Sequence, residues 1–303
     1  MVMRIPHKAA LMLFASSVLA WTSPARAGDD PCQLPILAMT YNIRLDTATD
    51  GENSWRYRRD FLTGQIEVLR PALLGLQEVL PNQRADIQSD LPGYAIVGGG
   101  RDDGKMAGEA SPIAIDRRLF RIDTSGTFWL SPTPQVPSLG WDAAYPRIVT
   151  WARVKHRASG TKILIINTHW DHEGRQARIE SGRQLAHWIR EMRKSNDAVV
   201  LLGDFNTELD DSAIIDMLAI ADLRSVQPNI IGVHEIARPS TFNHFEILPP
   251  PGKFIDHIFV DTNIKVRRGM VIAQHLNGRV GSDHFPVVAL LDLPTGGGRE
   301  RCE

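Results

Sequence analysis

The sequence predicts an α+β fold in which layered β-sheets carry helices on their outer faces. Two observations lead to this prediction: short apolar runs typical of strands recur along the chain, and only two segments carry a clear helical stripe. The 303 residues are 43% hydrophobic and 23% charged, which is ordinary for a globular protein. This composition excludes a disordered chain, a collagen-like repeat and a disulfide-dense miniprotein.

Nine strands are predicted from apolar runs bounded by turn-forming residues. In chain order they are Ile36–Asn42, Leu73–Gln77, Tyr94–Val97, Ile113–Ile115, Ile148–Lys155, Lys162–Asn167, Ala198–Leu202, Phe254–Val260 and Pro286–Leu291. Three segments rich in Gly, Pro or polar residues are predicted as loops, namely Gly98–Ser111, Ser131–Pro146 and Val226–Gly252. Strands resume after each loop, so none of the three is a domain linker.

Two helices are predicted from apolar residues spaced three or four apart. The first ends at Pro71, because a proline ring cannot continue a helix. The second follows Gly174 and has Arg and Glu on its opposite face. Their apolar stripes are Leu62, Ile66 and Leu69 in the first and Ile179, Leu185, Ile189 and Met192 in the second.

Residues 1–27 are predicted to be a signal peptide. Arg4 and Lys8 precede an apolar run from Ala9 to Trp21, and Ala25-Arg26-Ala27 forms an A-x-A cleavage site. The alternative is a transmembrane anchor, but the run is shorter than the roughly 20 residues that cross a bilayer. We therefore expect cleavage near Ala27, a secreted or periplasmic protein with no stable membrane insertion, and a single mature domain spanning residues 28–303.

Charge restricts how this protein can bind its partners. The signal segment holds three basic and no acidic residues, so the remainder has 31 basic against 35 acidic residues, a formal charge of −4. Such a protein has no overall positive field to hold nucleic acid by its phosphates. A phosphate-bearing ligand must be bound locally, by a metal or a few arginines.

The only two cysteines, Cys32 and Cys302, lie near the two ends of the mature chain. In an oxidising compartment they could form a disulfide that ties the termini together. They could equally be free thiols on frayed tails. The sequence leaves both alternatives open.

Polar residues lie beside predicted strands in five separate segments. They are Asn42, Glu78, His169, Asp204 with Asn206, and Asp283 with His284. Alone, each would be interpreted as a turn former or a solvated side chain. Their recurrence instead predicts a site built on rigid strand ends. Carboxylate and amide oxygens without cysteine favour Mg²⁺, with Mn²⁺ or Ca²⁺ as alternatives, over a structural zinc.

Three motifs in this order resemble the endonuclease/exonuclease/phosphatase superfamily, which includes pancreatic-type deoxyribonucleases, apurinic-site endonucleases and deadenylases. They are Leu76-Gln77-Glu78-Val79, Gly203-Asp204-Phe205-Asn206 and Ser282-Asp283-His284, and the resemblance extends from about Leu37 to Leu293. It implies a four-layer sandwich of two mixed β-sheets flanked by helices. It also implies a metal-dependent phosphoric ester hydrolase.

The resemblance also implies roles for individual residues. Asn42, Glu78 and Asp283 match the metal site. Asp204 matches the acid that orients or deprotonates the attacking water, and Asn206 matches a donor to the transition state.

The remaining matches concern the two histidines and the substrate phosphate. His284 matches the histidine that contacts the scissile phosphate, with Asp256 as its carboxylate partner. His169 matches the second active-site histidine, and Glu109 would be its partner. Arg147 matches an arginine that contacts the substrate phosphate.

These observations predict an exported Mg²⁺-dependent phosphohydrolase that cleaves a phosphodiester or phosphomonoester by in-line attack of an activated water. Its substrate could be a nucleic acid, a nucleotide, a sugar phosphate or a lipid headgroup, and we expect a monomer. One alternative is a non-catalytic module of the same fold that binds a phosphate ligand. A more distant one is a zinc hydrolase of metallo-β-lactamase type, because His169-Trp170-Asp171-His172 resembles part of that motif.

Two further charged segments are interpreted as structural. Arg56, Arg58 and Arg59 open the first helix, where a solvated face is more common than a wall that faces the substrate. The segment Arg101–Lys105 is predicted to be a loop over the site, and its two aspartates to form turns and not to bind metal.

Overall fold

The structure is a computed structural model that describes residues 35–227, 240–249 and 252–294. The predicted signal peptide, Cys32, Cys302 and part of the loop Val226–Gly252 lie outside these residues. Within the described part, no helix is long and apolar enough to span a membrane.

Two six-stranded mixed sheets form the centre of the molecule. The first has the order β11-β12-β1-β2-β4-β3 and the second the order β5-β6-β7-β8-β10-β9. The bounds are β1 Ile36–Asn42, β2 Leu73–Gln77, β3 Tyr94–Val97, β4 Ile113–Asp116, β5 Phe120–Trp129, β6 Ile148–His156, β7 Lys162–His169, β8 Asp197–Asp204, β9 Leu223–Ser225, β10 Asp256–Asp261, β11 Lys265–Val271 and β12 Val287–Asp292. In each sheet one central pair is parallel, β1 with β2 and β7 with β8, and the other pairs are antiparallel.

Four α-helices of the described chain cover the outer faces of the sheets. They are α1 Trp55–Leu69, α2 Pro81–Asp90, α3 Arg175–Met192 and α4 Ser212–Ala221, and a short 3₁₀ helix at Ala48–Asn53 precedes α1. Helices α1 and α2 pack on the first sheet, and α3 and α4 on the second. The predicted four-layer sandwich is therefore confirmed.

Side-chain alternation along the strands builds the layers. In β8, Val200 and Leu202 enter the core between the two sheets, whereas Val199 and Leu201 enter the core beneath α3 and α4. Both sets are fully buried, because successive side chains of a strand point to opposite faces and both faces of this central strand are covered. A continuous apolar run in the sequence is the result.

All nine predicted strands are present, most with ends shifted by one or two residues. The structure adds β5, β9, β11, α2 and α4, which the sequence analysis missed. Strands β5 and β11 pair with one neighbour each and carry many exposed polar residues, so they lack the apolar run that marked the others. Helix α2 buries only Gln83 and Ile87, too few to form a stripe.

The topology brings the predicted site residues to one end of the sandwich. Parallel strands β1 and β2 end there, as do β7 and β8 of the second sheet. Beneath this end, Gln77 of β2 donates to the side-chain oxygen of Asn167 in β7 at 2.7 Å, and the Asn167 nitrogen donates to the carbonyl oxygen of Leu76 at 2.7 Å. These buried amides join the two sheets directly under the site.

Candidate active site

Asp204, the last residue of β8, lies at the centre of the site and is 1% exposed. The Asn42 Nδ2 donates to Asp204 Oδ2 at 2.9 Å. The Nε2 atoms of His169 and His284 lie 3.6 Å and 3.8 Å from the same oxygen. One buried carboxylate oxygen therefore faces one amide and two imidazole rings.

The surroundings of Asp204 favour its protonated form. Burial raises its pKa, the negative charge of Asp256 adds to the rise, and the pKa reaches about 7. Donors from Asn42 and from the backbone amide of Asn206, at 2.9 Å, oppose this rise. The carboxyl group can thus accept or release a proton close to neutral pH.

His284 pairs with Asp256, which is the arrangement that the sequence resemblance implied. The His284 Nδ1 lies 2.9 Å from Asp256 Oδ2, and both residues are buried. Burial opposes a charge on His284, but the carboxylates of Asp256 and Asp204 outweigh it and raise the pKa of His284 to about 10. The ring is therefore a cation at neutral pH, with its Nε2–H directed toward Asp204.

His169 has a different partner from the predicted one. Its Nε2 lies 3.0 Å from Asn206 Nδ2, which also donates to the carbonyl oxygen of Trp170 at 3.0 Å. Because a carbonyl can only accept, the Asn206 amide nitrogen is the donor and His169 Nε2 accepts. Burial, followed by the positive charge of Arg147, lowers the pKa of His169 well below its usual value, so this ring is neutral.

The predicted pairing of His169 with Glu109 is wrong. Glu109 Oε1 instead binds Arg101 Nη2 at 2.6 Å. Both His169 and Glu109 line one small cleft, so Glu109 is next to the site without orienting the imidazole. The other polar residues that line this cleft are Glu78, Arg101, Ser111 and Arg147.

Arg147, the predicted phosphate ligand, enters the cleft from the end of the loop before β6. Its Nε donates to Asp171 Oδ2 at 3.2 Å, and its Nη2 lies 3.0 Å from His172 Nδ1. The side chain is only 6% exposed. Asp171 therefore fixes the guanidinium beside His169, where it can contact a bound phosphate.

Glu78 and Asp283 form the acidic side of the site. Glu78 has the left-handed φ of 60°, and the backbone amide of Leu45 donates to its Oε2 at 3.1 Å. Burial raises the pKa of Asp283, and the nearby charge of Glu78 contributes to that rise. The negative charges of these two carboxylates repel each other, and a cation would relieve the repulsion, so these hard oxygens fit a divalent metal.

Asn42, which was predicted to be a metal-site residue, orients two of the acids through its amide nitrogen. Its Nδ2 donates to Glu78 Oε1 at 2.9 Å as well as to Asp204, and its Oδ1 accepts the Arg44 backbone N–H at 3.0 Å. Asn42 therefore connects the acidic side of the site to Asp204. The carboxylate oxygens on this side of the site that could hold a metal belong to Glu78 and Asp283.

A second group of potential metal ligands consists of Asp204, Asp256 and His284, whose ligand atoms lie within 4.8 Å of one another. His284 Nδ1 already lies at 2.9 Å from Asp256, and the ring is a cation at neutral pH. A protonated imidazole repels a metal and cannot ligate it through a protonated nitrogen. We therefore interpret this group as a network for proton transfer and charge stabilisation.

Sequence reasoning misplaced Arg58. This residue is 3% exposed and donates to the backbone carbonyls of Ile43, Arg44 and Gly281, so it holds together the loops that carry Asn42 and Asp283. Arg58 therefore lies neither on a solvated helix face nor on a wall that faces the substrate, the two alternatives that the sequence suggested. A signal was present, because Arg58 precedes Leu62 by four residues and so lies on the buried stripe of α1.

Two other sequence interpretations have clear outcomes. Asp103 accepts the backbone amides of Lys105 and Ala107 at 2.7 Å and 2.9 Å, so it forms a turn as predicted. In the segment that resembles a zinc motif, Asp171 accepts the backbone amides of Glu173 and Gly174 and binds Arg147. Asp171 is therefore already paired with the Arg147 cation, and the structure does not support a zinc centre there.

The fold and the site together define a metal-dependent hydrolase of phosphoric esters. Residues 39–284 match the model of the Endonuclease/Exonuclease/phosphatase family, and the chain belongs to that family. The superfamily that the three motifs indicated is thereby confirmed. Members of the family hydrolyse phosphoric esters and depend on divalent metal ions.

Solved structures include similar proteins. A family member from Bacteroides thetaiotaomicron is 32% identical with a TM-score of 0.81, over 86% of this chain and 98% of the other. A mannosyl-6-phosphatase from Bacteroides thetaiotaomicron VPI-5482 is 33% identical with a TM-score of 0.80, over 84% of this chain and 99% of the other. Among curated sequences, protein L388 of Acanthamoeba polyphaga mimivirus is 26% identical over 78% of this chain and 92% of its own length.

Proposed function

We propose that this protein is an exported, Mg²⁺-dependent phosphohydrolase that cleaves a phosphate ester by in-line attack of water. The observation that carries the proposal is the position of Asp204, whose Oδ2 lies 3.6 Å and 3.8 Å from two histidines and 2.9 Å from the amide of Asn42. A module that only binds phosphate needs no buried carboxylate at the centre of its donors. Catalysis by a base needs one.

Asp204 orients the attacking water and takes its proton. Its pKa of about 7, raised by burial and by Asp256, matches a base that operates near neutral pH. The backbone amide of Asn206 donates to Asp204 Oδ1 at 2.9 Å and leaves Oδ2 directed toward the histidines. The carboxylate is thus held in one orientation while the proton moves.

His284 supplies a hydrogen-bond donor to the phosphoryl oxygens as negative charge develops on them, and Asn206 positions the second histidine. His284 remains a cation because Asp256 faces its Nδ1 at 2.9 Å, which leaves Nε2–H as a charged donor. Asn206 holds the neutral His169 ring at 3.0 Å. Donors fixed in advance in a buried site stabilise the transition state without reorganising.

Mg²⁺ is the cation that the acidic side of the site suits best. Glu78 and Asp283 would hold it, since both offer carboxylate oxygens, the ligands that Mg²⁺ prefers. When bound, the ion neutralises charge on the phosphate and polarises the bond to phosphorus. Mn²⁺ and Ca²⁺ carry the same charge but have different radii, so the hydrolysis rates with these two ions should be compared with the rate with Mg²⁺.

Among phosphate esters we favour a sugar phosphate. The support is the likeness to the mannosyl-6-phosphatase, at 33% identity over nearly the whole of that chain. A formal charge of −4 after removal of the signal segment also disfavours a polynucleotide that must be held along many phosphates. A free nucleotide or a lipid headgroup is the next class to compare.

Hydrolysis by the purified mature protein tests the proposal. We expect p-nitrophenyl phosphate, bis-p-nitrophenyl phosphate or mannose 6-phosphate to be hydrolysed with Mg²⁺, and EDTA to abolish the reaction. His284→Ala should reduce the rate by about 100-fold while retaining the fold by circular dichroism. Absence of hydrolysis of every ester, in protein shown to bind Mg²⁺, would exclude a catalytic role.

Export is a separate part of the proposal, supported by the basic start, the apolar run and the Ala25-Arg26-Ala27 site. Expression of the full chain in a bacterium, followed by fractionation and mass spectrometry, tests it. We expect the mature protein outside the cytoplasm with Gly28 as its first residue. Recovery of uncleaved protein from the cytoplasm would contradict export.

A further inference from the structure

A partly buried ion pair lies next to the site and takes no part in the proposed proton transfers. Arg101 Nη2 and Glu109 Oε1 are 2.6 Å apart, and their side chains are 13% and 16% exposed. Both line the cleft that also contains His169, Arg147 and Glu78. A substrate whose phosphate contacts Arg147 and His169 would therefore place its remaining atoms beside this pair.

The backbone holds the ion pair rigidly. The Arg101 amide donates to the Glu109 carbonyl at 2.9 Å, and Trp129 Nε1 donates to the Arg101 carbonyl at 2.7 Å. A Cβ at Gly99 would collide with the Gly104 carbonyl, and one at Gly100 with the Ala107 carbonyl, so this tight loop requires glycine at both positions. A fixed pair of charged groups is typical of a recognition site and not of a solvated surface bridge.

The cleft has little spare positive charge for a second phosphate. Arg101 faces Glu109 at 2.6 Å, and Arg147 faces Asp171 at 3.2 Å. The Arg101 guanidinium also lies 4.8 Å from the centre of the Tyr145 ring, which is 48% exposed. Each guanidinium thus has its own carboxylate, and a polyanion would have to compete with both.

A carboxylate paired with a guanidinium suits hydroxyl groups instead. A sugar hydroxyl both donates and accepts hydrogen bonds, and the pair offers carboxylate acceptors next to N–H donors. Bonds of this kind to charged groups are stronger than those between neutral groups. The position of the pair, next to the site and within one cleft, is where the alcohol portion of a phosphate monoester would lie.

We propose that Arg101 and Glu109 form a subsite that recognises hydroxyl groups of a sugar leaving group and so selects sugar phosphate monoesters over phosphodiesters. This inference rests on the proposed phosphohydrolase function. It assigns to Glu109 a part in substrate specificity in place of the histidine-orienting role that the family resemblance implied.

The test compares two monoesters in wild type and in Glu109→Gln. Mannose 6-phosphate carries hydroxyls on its leaving group, whereas the leaving group of p-nitrophenyl phosphate has none beyond the ester oxygen. We expect Glu109→Gln to lower the ratio of kcat/KM for mannose 6-phosphate over p-nitrophenyl phosphate by about tenfold or more, because one or two charge-assisted hydrogen bonds are lost. Arg101→Gln should lower the ratio in the same direction.

Glu180→Gln is the matched control, since Glu180 also pairs with an arginine, Arg183, at 3.1 Å, but on the outer face of α3. It should leave the ratio as in wild type. A binding measurement gives a second readout. In a His284→Ala background, calorimetry should show that Glu109→Gln weakens the binding of mannose 6-phosphate more than the binding of methyl phosphate.

The outcomes separate this inference from the proposed function. If wild type hydrolyses monoesters but both folded variants keep the wild-type ratio, the subsite is wrong and the phosphohydrolase stands. A wild type that prefers bis-p-nitrophenyl phosphate to both monoesters also overturns the subsite. If wild type hydrolyses no phosphate ester, the proposed function itself fails.

Discussion

The two active-site histidines face the same carboxylate oxygen, at 3.6 Å and 3.8 Å, yet their surroundings give them different charge states. His284 faces the carboxylate of Asp256 at 2.9 Å and is a cation at neutral pH. His169 accepts from the amide of Asn206 at 3.0 Å, is crowded by the positive charge of Arg147, and is neutral. Both rings are buried, so burial alone does not explain the difference. The partner of each ring decides it.

The asymmetry gives each ring a distinct task. A charged His284 can donate a strong hydrogen bond to an anionic phosphoryl oxygen. His169, which lies beside Arg147, is neutral and adds no second positive charge next to Asp204. Two cations on both sides of Asp204 would lower its pKa and weaken it as a base. The charged ring therefore lies beside Asp256, and the neutral ring lies in the cleft.

The largest expected effect comes from removing the carboxylate between the two rings. Asp204→Asn keeps the shape but cannot accept a proton from water, so kcat should fall by about 10³-fold. The melting temperature should stay the same or rise, because removing this carboxylate from water is costly and asparagine keeps its shape without the charge. Rates of p-nitrophenyl phosphate hydrolysis at saturating Mg²⁺ measure the first effect and calorimetry the second.

Asp210→Asn provides the control, since Asp210 is an exposed residue in the turn that follows the same strand. It should retain the wild-type rate. An Asp204→Asn variant within tenfold of wild type would mean that another group activates the water, and the central position of Asp204 would then be structural.

A smaller effect should follow from changing the partner of His284. Asp256→Asn removes the largest of the charges that raise the His284 pKa to about 10, so the ring should lose its proton at a lower pH. We expect a loss of about 100-fold in kcat/KM at pH 8, and a deficit that grows as the pH rises from 7 toward 10. A pH–rate profile measures both quantities.

The matched variant on the other side is Asn206→Ala, which removes the partner of His169. Because His169 is neutral without help from Asn206, the loss should be about tenfold and constant on the alkaline side. If Asn206→Ala shifts the alkaline limb as Asp256→Asn does, the contrast between the two rings is wrong.

The sequence predicted the location of the site better than its contacts. Asn42, Glu78, His169 and Asp204 follow the apolar strands of the parallel pairs β1–β2 and β7–β8, which end at the same end of the sandwich. His284 precedes β12, which runs antiparallel to β1, and so reaches the same end. That outcome depends on strand order, which motifs in sequence indicate well. The central strands were also predictable, because burial on both faces requires continuous apolar runs.

Contacts between side chains were harder to predict, because they depend on distances of one or two ångströms. Glu109 could reach a histidine or an arginine, and only the tight loop at Gly99 and Gly100 shows that it meets Arg101. The polar edge strand β5 and the polar helix α2 were missed for a related reason, since few of their side chains enter a core. Arg58 was missed because its charge concealed its position on the buried stripe of α1.

The smallest expected effect is on stability, and the two rings should change it in opposite pH ranges. His284 has a folded pKa of about 10, above the unfolded value of 6.5, so its stabilising contribution is complete below pH 6.5 and is lost as the pH rises toward 10. His169 has a folded pKa well below 6.5, so the unfolded chain takes up a proton that the folded chain does not, and stability is lost as the pH falls below 6.5. Each linked proton can contribute a slope of up to about 1.4 kcal/mol per pH unit.

Urea unfolding in EDTA, from pH 4 to pH 10, measures these slopes in wild type, His284→Gln and His169→Gln. The difference in the free energy of unfolding between wild type and His284→Gln should change with pH only on the alkaline side, between about pH 6.5 and pH 10. The difference between wild type and His169→Gln should change only on the acid side, and comparison with wild type cancels other buried groups such as His257, whose pKa burial lowers to about 4. Equal slopes for both variants on one side would show that the two rings titrate alike, because opposite charge states require opposite linkage to pH.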